Sequence, residues 1–136
     1  MATQVLSNAM VLINAVDLSA HVKQVELSQS VDMQEATAMG SAGSKISAPG
    51  LKDWSLKITF YQDYAASKVD QTIFPLIGGT TSFEVRPVNA ARSTTNPAWT
   101  GTGAISSYNP VAGNVGEQQV AAVQIEAASA LSRLTA

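Results

Sequence analysis

From Leu51 to Pro87 the chain reads as strand, short helix, strand. Residues 53–60 alternate strictly: Trp54, Leu56, Ile58 and Phe60 fall on one side, Ser55, Lys57 and Thr59 on the other. Successive side chains of a strand face opposite sides, so this is a half-buried strand with one apolar face. Ser67-Lys68-Val69-Asp70 has the Ser-x-x-Asp form of a helix N-terminal cap. Val69, Ile73, Leu76 and Ile77 then recur at the spacing of one helical stripe. Pro75 has no N–H to bond back to Gln71, which predicts that the regular helix ends near Phe74. Gly78-Gly79 closes the element, and Ser82 to Arg86 alternates again with Phe83 and Val85 inward. The predicted core is therefore Trp54, Leu56, Ile58, Phe60, Val69, Ile73, Leu76, Phe83 and Val85.

The flanks carry weaker patterns. Residues 1–9 have no periodicity and read as a loosely held arm, either a disordered terminus or an arm that orders on a neighbouring subunit. Met10 to Asn14 is a short apolar run ending in an Asn14-Ala15 turn, which suits a buried strand, with Val16 to Ser19 as its hairpin return. Asp17 to His21 reads as a tight turn or a single helical turn. Val22 to Gln29 alternates with Val25 and Leu27 inward, and Val31 to Met39, carrying Val31, Met33 and Thr37, is a second extended segment polar enough to be an edge or inter-subunit strand. Gly40 to Gly50 reads as one long loop of small residues, and structureless loops of about a dozen residues are usually functional or disordered. Ile46 has nothing local to cover it, so the loop is either a mobile surface loop or one that docks on another copy. After a polar loop with an Asn96-Pro97 turn, Trp99 to Tyr108 is a strand interrupted by Gly101 and Gly103, residues that mark a bulge or a close approach of another backbone. Residues 109–114 form a turn, Gln118 to Ala127 is the last strand with Val123 and Ile125 inward, and residues 130–136 are a tail. The sum is roughly seven strands and one helix. It predicts a single domain over residues 1–136, mainly β: an antiparallel β-sandwich or barrel with one flanking α-helix.

Composition narrows what such a fold can do. Charged residues are only 13% of the chain, against an ordinary share of about 25%. A surface of Ser, Thr, Ala, Gln and Gly is cheaper to desolvate than one of Lys and Glu, which suits contact with another chain. The net charge is −2 and the eight Lys and Arg are scattered, so no basic stripe is present to neutralise phosphates. The absence of cysteine removes disulfides, thiol nucleophiles and thiolate metal sites. No secretory signal and no apolar run of roughly 18 residues is visible, so no membrane association is expected.

Catalytic chemistry has little to build on. The single histidine, His21, would have to serve any triad, and no Gly-x-Ser-x-Gly elbow is present. One histidine without cysteine leaves no ordinary zinc site. The nearest carboxylate pairs, Asp32 with Glu35 and Asp63 with Asp70, show no opposed environments that would separate their pKa values. Residues 78–81 lack the lysine of a phosphate loop, and no calcium-loop pattern occurs. Trp54 belongs to the core alternation. Trp99 follows a polar loop and is placed as an interface anchor. No enzyme activity, metal or cofactor is expected.

Several local motifs together resemble the major tail (tail tube) proteins of long-tailed, non-contractile bacteriophages. They are Leu18-Ser19-x-His21-Val22, Thr37-Ala38-Met39-Gly40, and Gly50-Leu51-Lys52-Asp53-Trp54-Ser55. Asp63-Tyr64-Ala65-Ala66-x-Lys68-Val69-Asp70, Phe74-Pro75-Leu76, Val85-Arg86-Pro87, Asn96-Pro97 and Tyr108-x-Pro110 belong to the same set. The resemblance runs from about Met10 to Thr135 and consists of packing and turn motifs. It implies a β-sandwich or barrel flanked by a helix, six copies joined into a ring, and rings stacked into a hollow tube. It further implies a virion protein assembled in the host cytoplasm, with the tape-measure protein, tail-tip and tail-terminator proteins and a tail assembly chaperone as partners. Genomic DNA would pass through the lumen without specific binding. The inter-subunit contacts are then expected on the Gly40–Gly50 loop, at Ser41, Ser44, Lys45, Ile46, Ser47 and Pro49, with Trp99 as a further anchor and residues 1–9 assisting. Longer members of that family carry an additional immunoglobulin-like domain at the C-terminus, which is not expected here. The alternatives are the tube protein of a related secretion or gene-transfer system, a small carboxylate-based hydrolase, or a carbohydrate-binding β-sandwich using Trp99 and Tyr108 as a stacking platform.

Overall fold

The computed structural model describes residues 5–6, 8–41 and 43–135, and for Ser41 the backbone only. Residues 1–4 and Ser7 of the predicted arm, and Ala42 of the predicted loop, lie outside that set. The strands are β1 (Met10–Ile13), β2 (Val16–Asp17), β3 (Val22–Glu35), β4 (Ser47–Tyr61), β5 (Thr80–Arg86), β6 (Ala98–Ala112), β7 (Val120–Ala127) and β8 (Ser132–Leu134), with one helix, α1 (Val69–Ile73), between β4 and β5. They form one eight-stranded sheet in the order β2-β1-β5-β6-β7-β4-β3, with β8 added on β6, and every strand pairing is antiparallel. Strand β6 joins the two halves: its first part pairs with β5, from Val85↔Trp99 to Thr80↔Ala104, and its second part with β7. The sheet folds over along this strand. Trp54 of β4 and Phe83 of β5 are not on neighbouring strands, yet their ring centroids lie 5.0 Å apart.

The apolar faces of the two halves meet in one core. Trp54, Leu56, Ile58, Phe60, Val69, Ile73, Phe83 and Val85 are buried there, and Leu76 is half-buried against them. Val11, Ile13, Leu18, Ile105, Ala121, Val123 and Ile125 complete the cluster. Burying each large apolar side chain contributes roughly 1.5–3 kcal/mol, so the fold rests on this cluster. The glycines of β6 are what let the layers close. A Cβ on Gly103 would stand 2.2 Å from Cγ2 of Ile125 and 2.8 Å from the Glu126 carbonyl oxygen, and one on Gly101 would stand 3.3 Å from the Phe83 ring.

Several elements differ from their sequence pattern. Asn14 and Ala15 have φ of 51° and 64°, the paired positive values of a type I′ hairpin turn, and they close β1 on β2. The helix does not use Ser67 as its cap. Ser67 itself has φ 60°, Lys68 is the N-cap without a side-chain bond, and the Asp70 N–H donates to the Asp63 carbonyl at 3.1 Å instead. Beyond Ile73 the chain tightens into a 3-10 turn, Phe74–Leu76, and then extends at Ile77. Ile77 is thereby carried off the helical stripe and stands 48% exposed. Residues 109–112 are strand rather than turn: Pro110 sits where the β6–β7 register slips between Asn109 and Ala112, so no ladder bond is demanded of it. The turn follows, with Gly113 and Gly116 at φ 142° and 87°. The predicted tail adds a strand, β8, to the edge of β6 at Ala98, Trp99 and Thr100. At the other end, Asn8 is tied to the body, its carbonyl accepting from the Asn89 N–H at 2.8 Å.

Strand β5 is covered on both faces. Alternation assigns Glu84 outward, but it is buried under the 87–97 loop, where Arg86 Nε donates to it at 2.6 Å and Arg92 also pairs with it. Asn96 locks that loop: its side-chain amide accepts from the Val88 N–H and donates to the carbonyls of Val88, Ala90 and Ala91.

Candidate assembly surfaces

Strands β3 and β4 pair from Val22↔Phe60 out to Glu35↔Ser47, whereas β7 pairs with β4 only from Ser55 onward. The outer half of the hairpin, residues 31–52, is thus a two-stranded ribbon without a third strand, and nearly all its side chains are exposed. The sequence reading placed residues 47–50 in a loop, but they are strand. Pro49 is tolerated because this part of β4 is an edge and the missing N–H faces no partner. Gly50 sits at the register shift between Val31 and Met33, where a Cβ would meet the Asp32 carbonyl oxygen at 3.0 Å. The actual turn spans residues 36–46. It is closed by the Ala36 N–H to the Ile46 carbonyl at 2.8 Å and by the Ile46 N–H to the Thr37 hydroxyl at 2.8 Å.

Ser44, Lys45, Ile46, Ser47 and Pro49 all lie exposed on this hairpin, and the backbone of Ser41 ends a 3-10 turn, Met39–Ser41, within it. The hairpin carries further exposed apolar side chains, Met33 among them on the segment expected to be an edge or inter-subunit strand. Met33 is 59% exposed, Leu51 79%, and Met39 fully. These large apolar groups share one narrow ribbon with Ile46. Strand β3 also ends the sheet order, so its outer edge offers an unpaired row of backbone donors and acceptors.

Trp99 does not join the hairpin tip. It lies half-buried in a groove of about 270 Å³ with Leu6, Val25, Leu27, Val85 and Pro87, and the Arg133 guanidinium stands 5.9 Å over its ring. Tyr108 also has a structural engagement. Its hydroxyl donates to Asp70 at 2.8 Å and accepts from Gln62 at 3.0 Å, and burial pushes the phenol up to about 12.

Asp17 and Asp63 are tied into turns. Asp17 accepts from the hydroxyl and the N–H of Ser19, which hold its carboxyl below the ordinary range. Asp63 accepts from the Ala65 N–H at 2.9 Å and meets His21 Nε2 at 3.0 Å, and these two contacts, the first the larger, hold its carboxyl below its ordinary value of 3.8. A depressed folded-state pKa stabilises the fold above the unfolded value and loses that contribution as pH falls through the folded value. Asp63→Asn is therefore expected to flatten the dependence of Tm on pH as pH falls from about 5 through the folded-state value. An unchanged profile would show that the carboxylate contributes nothing to the fold. Among the described residues no group of three His, Cys, Asp or Glu comes together that could hold a metal ion, and no helix is long and apolar enough to cross a membrane.

No protein-family model and no curated protein sequence matches the chain. Solved structures do. A chain from the tail of an empty gene transfer agent particle, a structure with C6 symmetry, superposes with a TM-score of 0.73 at 17% identity, covering 98% of this chain and 100% of that one. A chain of the SPP1 tail tube superposes with a TM-score of 0.70 at 12% identity, covering 95% and 77%. A chain of the sheath–tube complex of an extracellular contractile injection system in its extended state gives 0.69 at 10% identity, covering 95% and 89%. The likeness runs over almost the whole chain and establishes the fold: the antiparallel β-architecture with a flanking helix expected from the sequence is shared with chains of tail and tube assemblies.

Proposed function

We propose that this chain is a structural tube protein of a phage tail: copies close into sixfold rings, and the rings stack into the hollow tube through which genomic DNA leaves the particle. The observation that carries this reading is the likeness to a chain of a C6-symmetric tail over 98% of the present chain. The free edge of β3 supports it, since an unpaired edge that meets another subunit is removed as an aggregation hazard. The apolar hairpin supports it as well, because a head-to-tail contact that does not close on itself extends along an axis. In this reading the protein is not an enzyme, and its place is the virion tail, assembled in the bacterial cytoplasm. Its principal partner is itself, with the tape-measure, tail-tip and tail-terminator proteins and an assembly chaperone as the others. The tube of a gene transfer agent or of an injection system would use the same architecture. A carbohydrate platform of Trp99 and Tyr108 is disfavoured, because Arg133 stands over the indole and the phenol is bonded to Asp70.

Ile46→Asp tests the role of the hairpin. Ile46 is 45% exposed and outside the core, so the substitution is expected to move Tm by no more than a few degrees. In sedimentation velocity it is expected to leave the protein in small species where the wild type forms large ones. Wild-type assembly by the variant would remove Ile46 from the contact.

A further inference from the structure

Two of the chain's four methionines, Met33 and Met39, stand on the 31–52 ribbon. Met33 lies on β3 opposite Pro49, and Met39 opens the 3-10 turn at the tip. Met33 is 59% exposed and Met39 fully so, whereas Met10 is half-buried on β1 opposite Arg86. An oxidant in solution therefore reaches the two hairpin sulfurs before that of Met10. Nothing on the ribbon shelters them, since no aromatic residue occurs between positions 31 and 52 to stack on a thioether. The chain has no cysteine, so no thiolate intercepts the oxidant first. Neither methionine belongs to the core cluster, and a change of polarity there leaves the packing of the fold untouched.

We propose that Met33 and Met39 form a modification site through which peroxides control assembly. This rests on the tube reading, in which the hairpin is covered by another copy, and adds to it a chemical control on the free subunit. The O–O bond of the peroxide breaks, and one of its oxygens bonds to the thioether sulfur. The sulfur gives up two electrons, and the second oxygen leaves as water. The product is a polar sulfoxide where an apolar side chain stood. Covering that oxygen without a hydrogen-bond donor weakens the contact by about ten-fold or more. Assembly in turn shields the sulfurs, so the control acts on subunits that have not yet joined a tube. It is reversible, because methionine sulfoxide reductases return the thioether.

The test sorts the wild-type protein by its own modification. Free subunits are treated with hydrogen peroxide to partial conversion and mixed with tail-tip complex, and tubes are separated from the supernatant by sedimentation. Peptide mass spectrometry then reads the sulfoxide share at each methionine in both fractions. The expected share at Met33, Met39 or both is about ten-fold lower in the tubes than in the supernatant. The supernatant protein should melt with the untreated protein and should assemble after treatment with the reductases. Equal shares in the two fractions would overturn the site and leave the tube reading standing. A supernatant that melts well below the untreated protein would overturn it too, because the loss would then pass through unfolding. Untreated protein that forms no tubes even with tail-tip complex would overturn both the site and the tube reading.

Discussion

Trp54→Ala is expected to lower the unfolding free energy by about 3–5 kcal/mol, read as a fall in the denaturant midpoint at nearly unchanged slope. The side chain is 4% exposed at the fold-over of the sheet, where it ties three elements together. Its ring packs against Phe83 of the opposite layer, tilted by 51°. It also lies over the bare backbone of β6, its ring atoms 3.4 Å and 3.0 Å from where Cβ atoms would stand on Gly101 and Gly103. Its indole N–H donates to the Ser129 carbonyl at 2.7 Å, which anchors the segment leading into β8. Truncation empties a site that glycines cannot refill and leaves the Ser129 carbonyl without its donor, so the cost belongs at the upper part of the range for large-to-small changes. An unchanged midpoint would show that the layers are held together elsewhere.

Replacing residues 36–46 by Asn-Gly is expected to abolish tube formation while leaving the fold intact. Glu35 and Ser47 are register partners, so a two-residue type I′ turn closes the ribbon at that point without disturbing the pairing below it. None of the described residues in the deleted segment belongs to the buried core. Unfolding is therefore expected within about 0.5 kcal/mol of wild type, the range for surface changes. Assembly followed by light scattering should show no growth at concentrations where wild type polymerises. Tubes of normal length from the shortened chain would remove the hairpin tip from the contact between rings.

How far the sequence could be read depends on what each segment faces. Strand β4 is legible from Trp54 to Phe60 because one face meets the core and the other meets water, which is what a two-residue period records. The same strand from Ser47 to Gly50 is illegible: both faces are exposed, so no period arises, and its Pro49 and Gly50 answer to an edge and a bulge rather than a loop. Helix α1 shows in its stripe, but its start does not, because the Asp70 N–H is satisfied by a backbone carbonyl that leaves no mark in the sequence. Glu84 reads as solvated since alternation knows only its own strand, and the 87–97 loop that covers it is folded by Asn96. Strand β8 is held by β6 and has no pattern of its own. For the contact surface, Ile46 was legible as an apolar residue among small polar ones. Trp99 stands out in the sequence as a large side chain after a polar loop, but the groove around it is assembled from separate strands and the N-terminal segment, which only the fold brings together.

Negative-stain electron microscopy of the purified protein over a concentration series, with and without tail-tip complex, tests the central claim most directly. The account predicts stacked rings with a central hole, lengthening with concentration or appearing once tail tips are added. Uniform monomers under both conditions would contradict it.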